Sequence, residues 1–436
     1  GYCFGFEGPP GVGKCFAKNT PIMLSNGEIK MVQDITINDK LMGDDSRERN
    51  VLALGNGTEK MYRIEQVKGD NYIVNESHIL SLKMSKSGRK CYKHQTILGQ
   101  RYFKDEIIDI CIKDYLNLPE YIKGCLKGYK VGVEFIESYV SLEPYALGCW
   151  LGDGTSRNFG ITTIDEPIIN YFREFAKKYD LEIKQGKGND EITYSITTGK
   201  MGGRSDKNIL INKLKEYNLV NNKHIPSKYK CNSREVRLQL LAGLIDTDGY
   251  YNKHNNSLEI TQKNKKLAED ILWIVRWLGC RGLLKECIKS CTYKGEKRYG
   301  QYYRIIITGK GLQDIPTLLE RKKPREHKQI KDCLNTGIKV IPLEEDEYFG
   351  FQIDGNSRFL LGDFTVTHNT SLAKYGLANC LKNENGESRP FAFIAMGGSS
   401  NGSTLEGHNY TYVGSMWGKI VDILMDKKCM NPIIFI

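Results

Sequence analysis

Reactive side chains stand at both ends of a 355-residue segment of this chain. Cys15 opens the segment, Asn369 closes it behind His368, and Thr370 follows directly. A thiol can attack the carbonyl group that precedes it and turn an amide into a thioester, and a hydroxyl group can then accept the acyl group. An asparagine amide can cyclise onto its own carbonyl group, which cuts the chain after that residue. These residue types at these positions therefore predict acyl transfer that removes 15–369 from the chain.

The flanks of the segment are the two halves of one phosphate-binding loop. Gly8-Pro-Pro-Gly-Val-Gly-Lys14 lacks only the last residue of the pattern GxxxxGK[ST], and Thr370-Ser371 supplies it. Joining Lys14 to Thr370 would give an 81-residue product with a complete loop. Its predicted ATP- and Mg²⁺-binding residues are Gly8, Gly11, Gly13, Lys14, Thr370 and Ser371. In the flanks, 390–394 and 430–436 are predicted to be strands.

Composition narrows the class of protein. The formal net charge is +11, and the flanks hold seven Lys/Arg and six Asp/Glu, so the insert carries +10. This excess is typical of a nucleic-acid-binding module, and a solvated lysine-rich surface is the alternative. The same two readings stay open for the basic stretch 86–130. The 13 Cys include no CxxC pair, which favours an intracellular, reducing compartment, either cytoplasm or nucleus. No membrane span or signal peptide is evident.

Both ends of the insert have the pattern of short strands. Asn-Gly turns between apolar runs predict two hairpins, one at 21–24 and 28–32 and one at 51–54 and 62–64. The stretches 359–361 and 364–367 are predicted strands near the other end. One all-β domain would then hold both ends and bring Cys15 close to Asn369.

The middle of the insert, about 140–330, repeats itself. Each copy has a helix that ends in Asp-Gly, a strand, an amphipathic helix and a strand that ends in Gly-Lys. The copies comprise 142–154, 159–164, 168–178 and 192–198, then 239–249, 258–261, 265–278 and 303–308. Two such units predict a pseudo-two-fold domain. The first helices carry small residues, Gly148 and Gly152 in one and Ala242 and Gly243 in the other, which predicts close packing of the two helices.

The stretches 15–130 and 336–369 resemble inteins. The resemblance rests on Cys15, on Asn75-Glu-Ser-His78, on His368-Asn369 and on Thr370. It implies a horseshoe-like all-β Hint (hedgehog/intein) domain that splices itself out of the host without a cofactor.

The resemblance also implies roles for the residues of the first splicing step. Cys15 would attack the carbonyl group of Lys14 and form a thioester. His78 would be the general acid that protonates the departing amide nitrogen, while Asn75 and Ser77 would orient it.

The second half of the implied reaction uses the other end of the insert. Thr370 would take over the acyl group, and Asn369 would cyclise while His368 polarises the scissile carbonyl group. Many inteins carry a further His about ten residues earlier, and this chain has none there. Asp354 or Asp363 would serve instead, or cyclisation would be slow.

Leu241-Ala-Gly-Leu-Ile-Asp-Thr-Asp-Gly249 resembles the LAGLIDADG homing endonucleases, and 145–154 is similar to a degenerate first copy. The resemblance implies a site-specific double-strand DNA endonuclease whose partner is the intein-free allele of the host gene. Asp153 and Asp248 would hold Mg²⁺ over two scissile phosphates. Lys223, which precedes His-Ile-Pro, would position the attacking water or screen charge. Asp246 is predicted to be structural.

The stretch 402–418 resembles the AAA+ module of Lon-type ATP-dependent proteases. This resemblance implies an oligomeric ATPase host, in which the insert interrupts the Walker A loop. The flank ends at a predicted strand, 430–436, that would lead into the acidic residues of ATP hydrolysis.

The predicted architecture is multidomain. An α+β LAGLIDADG pseudo-dimer is inserted in an all-β Hint domain, which interrupts an α/β P-loop AAA+ domain. The predicted boundaries are 1–14 and 370–436 for the host, 15–135 and 336–369 for the splicing domain, and 136–335 for the endonuclease. Two alternatives are a P-loop ATPase with a permanent DNA-binding insertion and a splicing element with an inactive nuclease. The full set of splicing residues argues against the first, and the paired aspartates argue against the second.

Overall fold

The computed structural model describes most of the insert and short pieces of one flank. The described residues are 15–85, 96–97, 100–101, 103–155, 159–199, 208–293, 296–326, 332–369, 391–393, 419–427 and 433–435. All six predicted phosphate-loop residues (Gly8, Gly11, Gly13, Lys14, Thr370 and Ser371) lie outside this part of the chain, as does 86–95 of the basic stretch. None of the helices in the described ranges is long and apolar enough to cross a membrane.

The first part of the insert consists of strands with two short helices. In chain order they are β1 (Phe16–Ala17), β2 (Pro21–Met23), β3 (Ile29–Met31), β4 (Lys40–Met42), β5 (Glu48–Gln66), β6 (Tyr72–Asn75), β7 (Ile79–Met84), β8 (Thr96–Ile97), β9 (Gln100–Arg101), β10 (Ile107–Cys111), α1 (Ile112–Asn117), α2 (Glu120–Lys123) and β11 (Leu126–Tyr129).

The middle part alternates helices and strands. They are α3 (Pro144–Asp153), β12 (Gly160–Thr162), α4 (Glu166–Lys177), β13 (Glu182–Gln185), β14 (Thr193–Thr197), α5 (Ile209–Glu216), α6 (Ser227–Lys230), α7 (Arg234–Asp248), β15 (Gly249–Asn252), β16 (Ser257–Gln262), α8 (Lys265–Trp277), β17 (Arg281–Tyr293) and β18 (Glu296–Thr308).

The last part of the insert returns to strands, and three elements follow in the flank. They are β19 (Asn335–Thr336), β20 (Ile338–Ile353), β21 (Arg358–Leu360), β22 (Val366–His368), β23 (Phe391–Phe393), α9 (Lys419–Lys427) and β24 (Ile433–Phe435). The flanking strands β23 and β24 pair in parallel, so both strands predicted there are confirmed.

Strands from the two ends of the insert share two sheets. One has the order β20-β1-β6-β5-β4, and the other has the order β19-β11-β7-β22-β21 with β10 beside β7. Phe16 of β1 lies between Phe349 of β20 and Val74 of β6. His368 of β22 pairs with Ile79 of β7. These pairings confirm the prediction that one β-rich unit holds both ends of the insert.

One of the two predicted hairpins forms and the other does not. Strands β2 and β3 pair around Gly27, whose φ of +86° suits glycine. The prediction of a turn at Asn56-Gly57 is wrong, because both residues lie inside the 19-residue strand β5. A Cβ atom on Gly57 would lie 2.5 Å from the hydroxyl oxygen of Tyr348 on β20. Glycine is therefore explained at this position by the ring that packs over it.

The repeat predicted in the middle is present, with additional strands. The first copy forms a sheet of order β12-β14-β13 and the second a sheet of order β15-β16-β18-β17. The sequence missed β13, β15 and β17. Polar residues dominate β13, with Ile183 its single apolar residue, so its alternation was too weak to detect.

Helices α3 and α7 pack with their backbones in close contact. A Cβ atom on Gly148 would lie 2.1 Å from the carbonyl oxygen of Leu240, and one on Gly243 would lie 2.3 Å from that of Tyr145. The prediction of close packing at small residues is confirmed. Because the two helices end side by side, the residues at their carboxyl ends meet.

The middle part also packs against the β-rich unit. Trp273 and Trp277 of α8 contact the ring of Phe364. Their ring centroids lie 5.4 and 5.9 Å from the centroid of that ring. Phe364 precedes β22 and has a φ of +72°. Lys130 and Asp363 form a buried ion pair beside this contact. The strand that ends in His368 is thus fixed next to the inserted part.

Candidate functional sites

Cys15 is buried at the start of β1, with 1 % of its surface exposed. Its backbone N–H donates a 2.9 Å hydrogen bond to Oδ1 of Asn75. In return, the backbone N–H of Asn75 donates to the carbonyl oxygen of Cys15 at 3.1 Å. The amide that joins residue 14 to Cys15 is therefore held by an acceptor on its nitrogen, supplied by a predicted splicing residue.

A carboxylate that the sequence did not identify lies beside this group. Glu59 on β5 accepts from Nδ2 of Asn75 at 2.5 Å and from Oγ of Ser77 at 2.8 Å. The predicted residues Asn75 and Ser77 thus meet on one acceptor. Glu59 lies just after Asn56-Gly57, in a stretch of β5 whose local sequence predicts a turn, so no local signal identifies it.

His78 is fully buried between the two ends of the insert. Its Nε2 lies 3.0 Å from Oγ1 of Thr367 on β22, and its ring centroid lies 4.9 Å from that of Phe16. Its backbone N–H donates to the carbonyl oxygen of Asn75. The imidazole therefore contacts both the strand that follows Cys15 and the strand that leads to Asn369.

Asn369 is also buried, with 6 % of its surface exposed. Its backbone N–H donates a 2.7 Å hydrogen bond to the carbonyl oxygen of Ser357. Its side-chain nitrogen, Nδ2, has no hydrogen-bond partner among the residues that the structure describes. That nitrogen is the atom that would attack in a cyclisation, and Thr370, the next residue, lies outside the described part.

The two aspartates predicted to replace the absent histidine bind other residues. Asp354 accepts from the backbone and side chain of Asn50. Asp363 is bound to Lys130, and although burial alone would raise its pKa, the charge of Lys130 holds that pKa below the usual value. Both carboxylates have structural partners.

A different acid lies next to His368. Oδ2 of Asp109 on β10 is 3.8 Å from Nε2 of His368. The same oxygen accepts from Nη2 of Arg358 at 2.5 Å. Arg358 is directly opposite His368 in the β21–β22 pairing, at the place where the further histidine was expected. Burial alone would lower the pKa of Arg358, but its hydrogen bond to Asp109 raises it overall.

Asp153 and Asp248 are brought together at the ends of α3 and α7. A Cβ atom on Gly152 would lie 3.2 Å from Oδ2 of Asp248. The local surroundings raise the pKa of Asp153 to about 6, first by desolvation and then by the charge of Asp248. Desolvation also raises the pKa of Asp248, and a hydrogen bond from Gln262 to its Oδ2 opposes this. The shared region of negative charge suits a divalent cation.

The donor set fits Mg²⁺. In the described ranges no three His, Cys, Asp or Glu side chains gather as a closed metal site. Mg²⁺ is usually held by one or two carboxylates, with water and substrate phosphates completing its shell. Two aspartates at adjacent helix ends match that need.

Two lysines occupy equivalent places beside the aspartates. Nζ of Lys223 donates to the carbonyl oxygens of Gly152 and Gly154 at the end of α3. Desolvation lowers its pKa to about 8 although both aspartates oppose this. Nζ of Lys322 donates to three carbonyl oxygens, those of residues 245, 246 and 247, at the end of α7. The sequence prediction included Lys223 and missed Lys322. Lys322 could have been found from the sequence, because it is a second lysine that lies shortly before a proline, after the second copy of the repeat.

Asp246 has a structural environment, as predicted. It is buried and accepts from the hydroxyl group of Tyr145 and from the backbone N–H groups of Leu318 and Leu319. Its carboxylate therefore joins α3, α7 and the segment after β18.

Two family models match parts of the chain. Residues 15–115 match the Hom_end-associated Hint model, and residues 224–321 match the Homing endonuclease model. The insert thus contains one region similar to Hint domains and one region similar to homing endonucleases. The first covers Cys15 and Asn75–His78 in sequence, and the second covers Asp248 and ends one residue before Lys322.

The curated relatives of this chain are proteins of different kinds. The replicative DNA helicase DnaB of Mycobacterium intracellulare is 26 % identical over 395 residues, covering 85 % of this chain and 61 % of the relative. The homothallic switching endonuclease of Saccharomyces cerevisiae is 22 % identical, covering 80 % of this chain and 78 % of the relative. A mitochondrial Lon protease homolog of Scheffersomyces stipitis is 32 % identical over 201 residues, covering 46 % of this chain and 17 % of the relative. The chain thus spans less than two thirds of the helicase and Lon relatives.

Among solved structures, the homing endonuclease I-DmoI bound to its target DNA with Mn is 17 % identical. It aligns over 38 % of this chain and 86 % of that chain with a TM-score of 0.26. The gp41-1 intein is 16 % identical, aligns over 23 % of this chain and 80 % of that chain, and has a TM-score of 0.16.

Proposed function

We propose that the insert excises itself by protein splicing and joins Lys14 to Thr370. The observation that carries this proposal is the contact of one buried imidazole, His78, with both ends of the insert. On one side, the same turn as His78 carries Asn75, which accepts a hydrogen bond from the amide nitrogen of Cys15. On the other side, His78 contacts Thr367, which lies two residues before Asn369. The match to the Hint family model over 15–115 supports it.

In the first step the Cys15 thiol adds to the carbonyl carbon of Lys14. The carbon–sulfur bond forms, the bond from that carbon to the Cys15 nitrogen breaks, and the thiol proton ends on the freed amine. His78 would deliver a proton to the departing nitrogen, since its buried ring packs against Phe16, the residue that follows Cys15. Asn75 would keep that nitrogen in place.

In the later steps the hydroxyl group of Thr370 takes the acyl group from Cys15. Nδ2 of Asn369 then attacks its own main-chain carbonyl carbon, which closes a cyclic imide and releases the nitrogen of Thr370. His368 would polarise that carbonyl group. The freed amine attacks the ester, and a peptide bond joins Lys14 to Thr370.

Asp109 is proposed to assist His368 in place of the absent histidine. Its carboxylate, oriented by Arg358, stabilises positive charge on the imidazole through a 3.8 Å separation. In a Cys15→Ala background, Asp109→Asn should slow cleavage after Asn369 roughly 10-fold, as when a carboxylate that orients a functional histidine is removed. The rate would be followed by mass spectrometry, with Asp105→Asn, an exposed aspartate nearby, as the control. Equal rates in the two variants would contradict this role.

Trapping the thioester tests the first step directly. In an Asn369→Ala, Thr370→Ala background, hydroxylamine should cleave the chain between Lys14 and Cys15, because thioesters react with it and amides do not. The same chain with Cys15→Ala should stay intact. If the chain that retains Cys15 also resists hydroxylamine, the splicing proposal is contradicted.

We further propose that the middle part is a double-strand DNA endonuclease. Asp153 and Asp248 would hold Mg²⁺, which would stabilise the attacking and leaving oxygens of the phosphodiester. Lys223 and Lys322 would hold positive charge beside the scissile phosphates while they fix the ends of α3 and α7. The two sheets of the repeats would contact the DNA, and the basic excess of the insert would attract its backbone.

The proposed target is the intein-free host gene, at the codons of Lys14 and Thr370. A plasmid with that junction should be linearised in Mg²⁺ by the splicing-blocked chain, while a plasmid with the insert in place should not be. Equal cleavage of the two plasmids would contradict site-specific homing.

The pKa of Asp153 gives a pH prediction. A carboxyl group with a pKa of about 6 rather than 3.8 is protonated over a wider range, and only its ionised form ligates Mg²⁺. The Mg²⁺ concentration for half-maximal cleavage should therefore rise as pH falls from 7.5 through 6 to 5. Calorimetric titration of Mg²⁺ into the DNA-free chain should show the same trend, and Asp153→Asn should weaken it, leaving only the contribution of Asp248. An unchanged Mg²⁺ requirement at pH 5 would contradict the assignment.

For the host we propose a Lon-like AAA+ ATPase that binds ATP and Mg²⁺ only after splicing joins the loop. The parallel pairing of β23 with β24 and the similarity to a Lon protease homolog support this proposal. Purified spliced product should bind labelled ATP, and its Lys14→Ala variant should not.

A further inference from the structure

Glu59 links Asn75, whose side chain binds the amide of Cys15, to Ser77. It lies on β5, and its two carboxylate oxygens accept separately from Nδ2 of Asn75 and from Oγ of Ser77. Asn75 is buried, with 1 % of its surface exposed, and donates at 2.5 Å. The contact therefore fixes a side chain that has little room to move.

The chemistry of the carboxylate decides which way the Asn75 amide points. An asparagine side chain presents an oxygen that accepts and an NH₂ group that donates, and its orientation follows from its partners. An ionised carboxylate only accepts, so the NH₂ group of Asn75 must face Glu59. The oxygen then faces the N–H of Cys15 at 2.9 Å. In the flipped orientation, oxygen would face carboxylate and NH₂ would face N–H, and both contacts would be repulsive.

We propose that Glu59 is a positioning residue for the N-to-S acyl shift, an inference that rests on the proposed splicing function. By fixing the Asn75 amide, it places an acceptor on the nitrogen that must leave. A hydrogen bond accepted from that N–H raises electron density on the nitrogen, which favours its protonation as the bond to the Lys14 carbonyl carbon breaks. Glu59 itself forms no bond with the reacting atoms.

Glu59→Gln keeps the size of the side chain and removes the constraint. A glutamine amide can donate to or accept from Asn75, so both orientations of the Asn75 amide become possible. In the Asn369→Ala, Thr370→Ala background, Glu59→Gln should slow hydroxylamine cleavage at Lys14–Cys15 about 10-fold or more, as when other orienting carboxylates are neutralised. Glu65→Gln, on the same strand and paired with Arg63, is the matched control.

Two further measurements separate positioning from a general structural role. In a Cys15→Ala background, Glu59→Gln should leave cleavage after Asn369 unchanged. In an Asn75→Ala background it should have no additional effect on N-terminal cleavage, since the acceptor that it orients is already gone.

The outcomes distinguish this proposal from the function on which it rests. A parent chain that hydroxylamine does not cleave overturns both. A parent that cleaves normally and is matched by Glu59→Gln overturns only the role of Glu59. An additive effect in the Asn75→Ala chain, or loss of cleavage at both ends, also overturns it, because either would show a general effect on the fold.

Discussion

Asp248→Asn should reduce DNA cleavage by at least about 100-fold, the loss seen when one electrostatic stabiliser of a transition state is removed. The asparagine amide cannot supply the negative charge that Mg²⁺ needs, while its oxygen can still accept from Gln262 on β16. The fold should therefore persist, and binding to target DNA should hold or strengthen because a negative charge that faces phosphates is gone. Splicing should proceed at the parent rate, since the aspartate is part of another site.

The measurement is linearisation of the junction plasmid over a range of Mg²⁺ concentrations, together with DNA binding in the absence of metal. Asp314→Asn is the matched control, because Asp314 lies in the same part of the chain and pairs with Arg234 at the surface. Cleavage by Asp248→Asn at the control rate would mean that the paired aspartates are merely helix ends.

Gly243→Ala should destabilise the middle part by about 3 kcal/mol or more. Its new methyl group would start 2.3 Å from the carbonyl oxygen of Tyr145, so α3 and α7 must move apart. Overpacking against a side chain costs about 1–3 kcal/mol, and a backbone oxygen cannot rotate away. Separation of the helices would also separate Asp153 from Asp248, so DNA cleavage should be lost with stability.

Urea unfolding followed by tryptophan fluorescence would measure this loss, in a chain with Cys15→Ala and Asn369→Ala to block splicing. Trp150 lies buried on α3 and reports on the helix pair. Gly124→Ala is the matched control, because its methyl group would meet no atom closer than 3.4 Å and should change stability by less than about 0.5 kcal/mol. Similar midpoints in the two variants would contradict the close packing of α3 on α7.

The sequence predicted those elements whose pattern lies in a few contiguous residues. The turn at Asn26-Gly27 and the helices that end in Asp153 and Asp248 are examples. Asn56-Gly57 carries the same turn signal and is a continuous strand instead, because Tyr348, far along the chain, packs over Gly57. Distant pairing outweighed the local preference there.

The candidate sites divide in the same way. Cys15 and Asn369 could be named from their types and positions, while His78, Asp153 and Asp248 were implied by the resemblance to known families. The fold places His78 in contact with the strands next to Cys15 and Asn369 and brings Asp153 and Asp248 to adjacent helix ends. Glu59 and Asp109 could not be named, because each acts through partners that only the fold places beside it. Glu59 touches residues 16 and 18 positions away, and Asp109 meets Arg358 across 249 positions.

The most direct test of the central claim is the mass of the unmutated chain after expression. Self-excision predicts an 81-residue product with Lys14 joined to Thr370 and a separate 355-residue insert. Cys15→Ala should prevent the joined product, and the double variant with Asn369→Ala should remain whole. A persistent 436-residue species in the unmutated chain would contradict excision and mark the insert as a permanent part of its host.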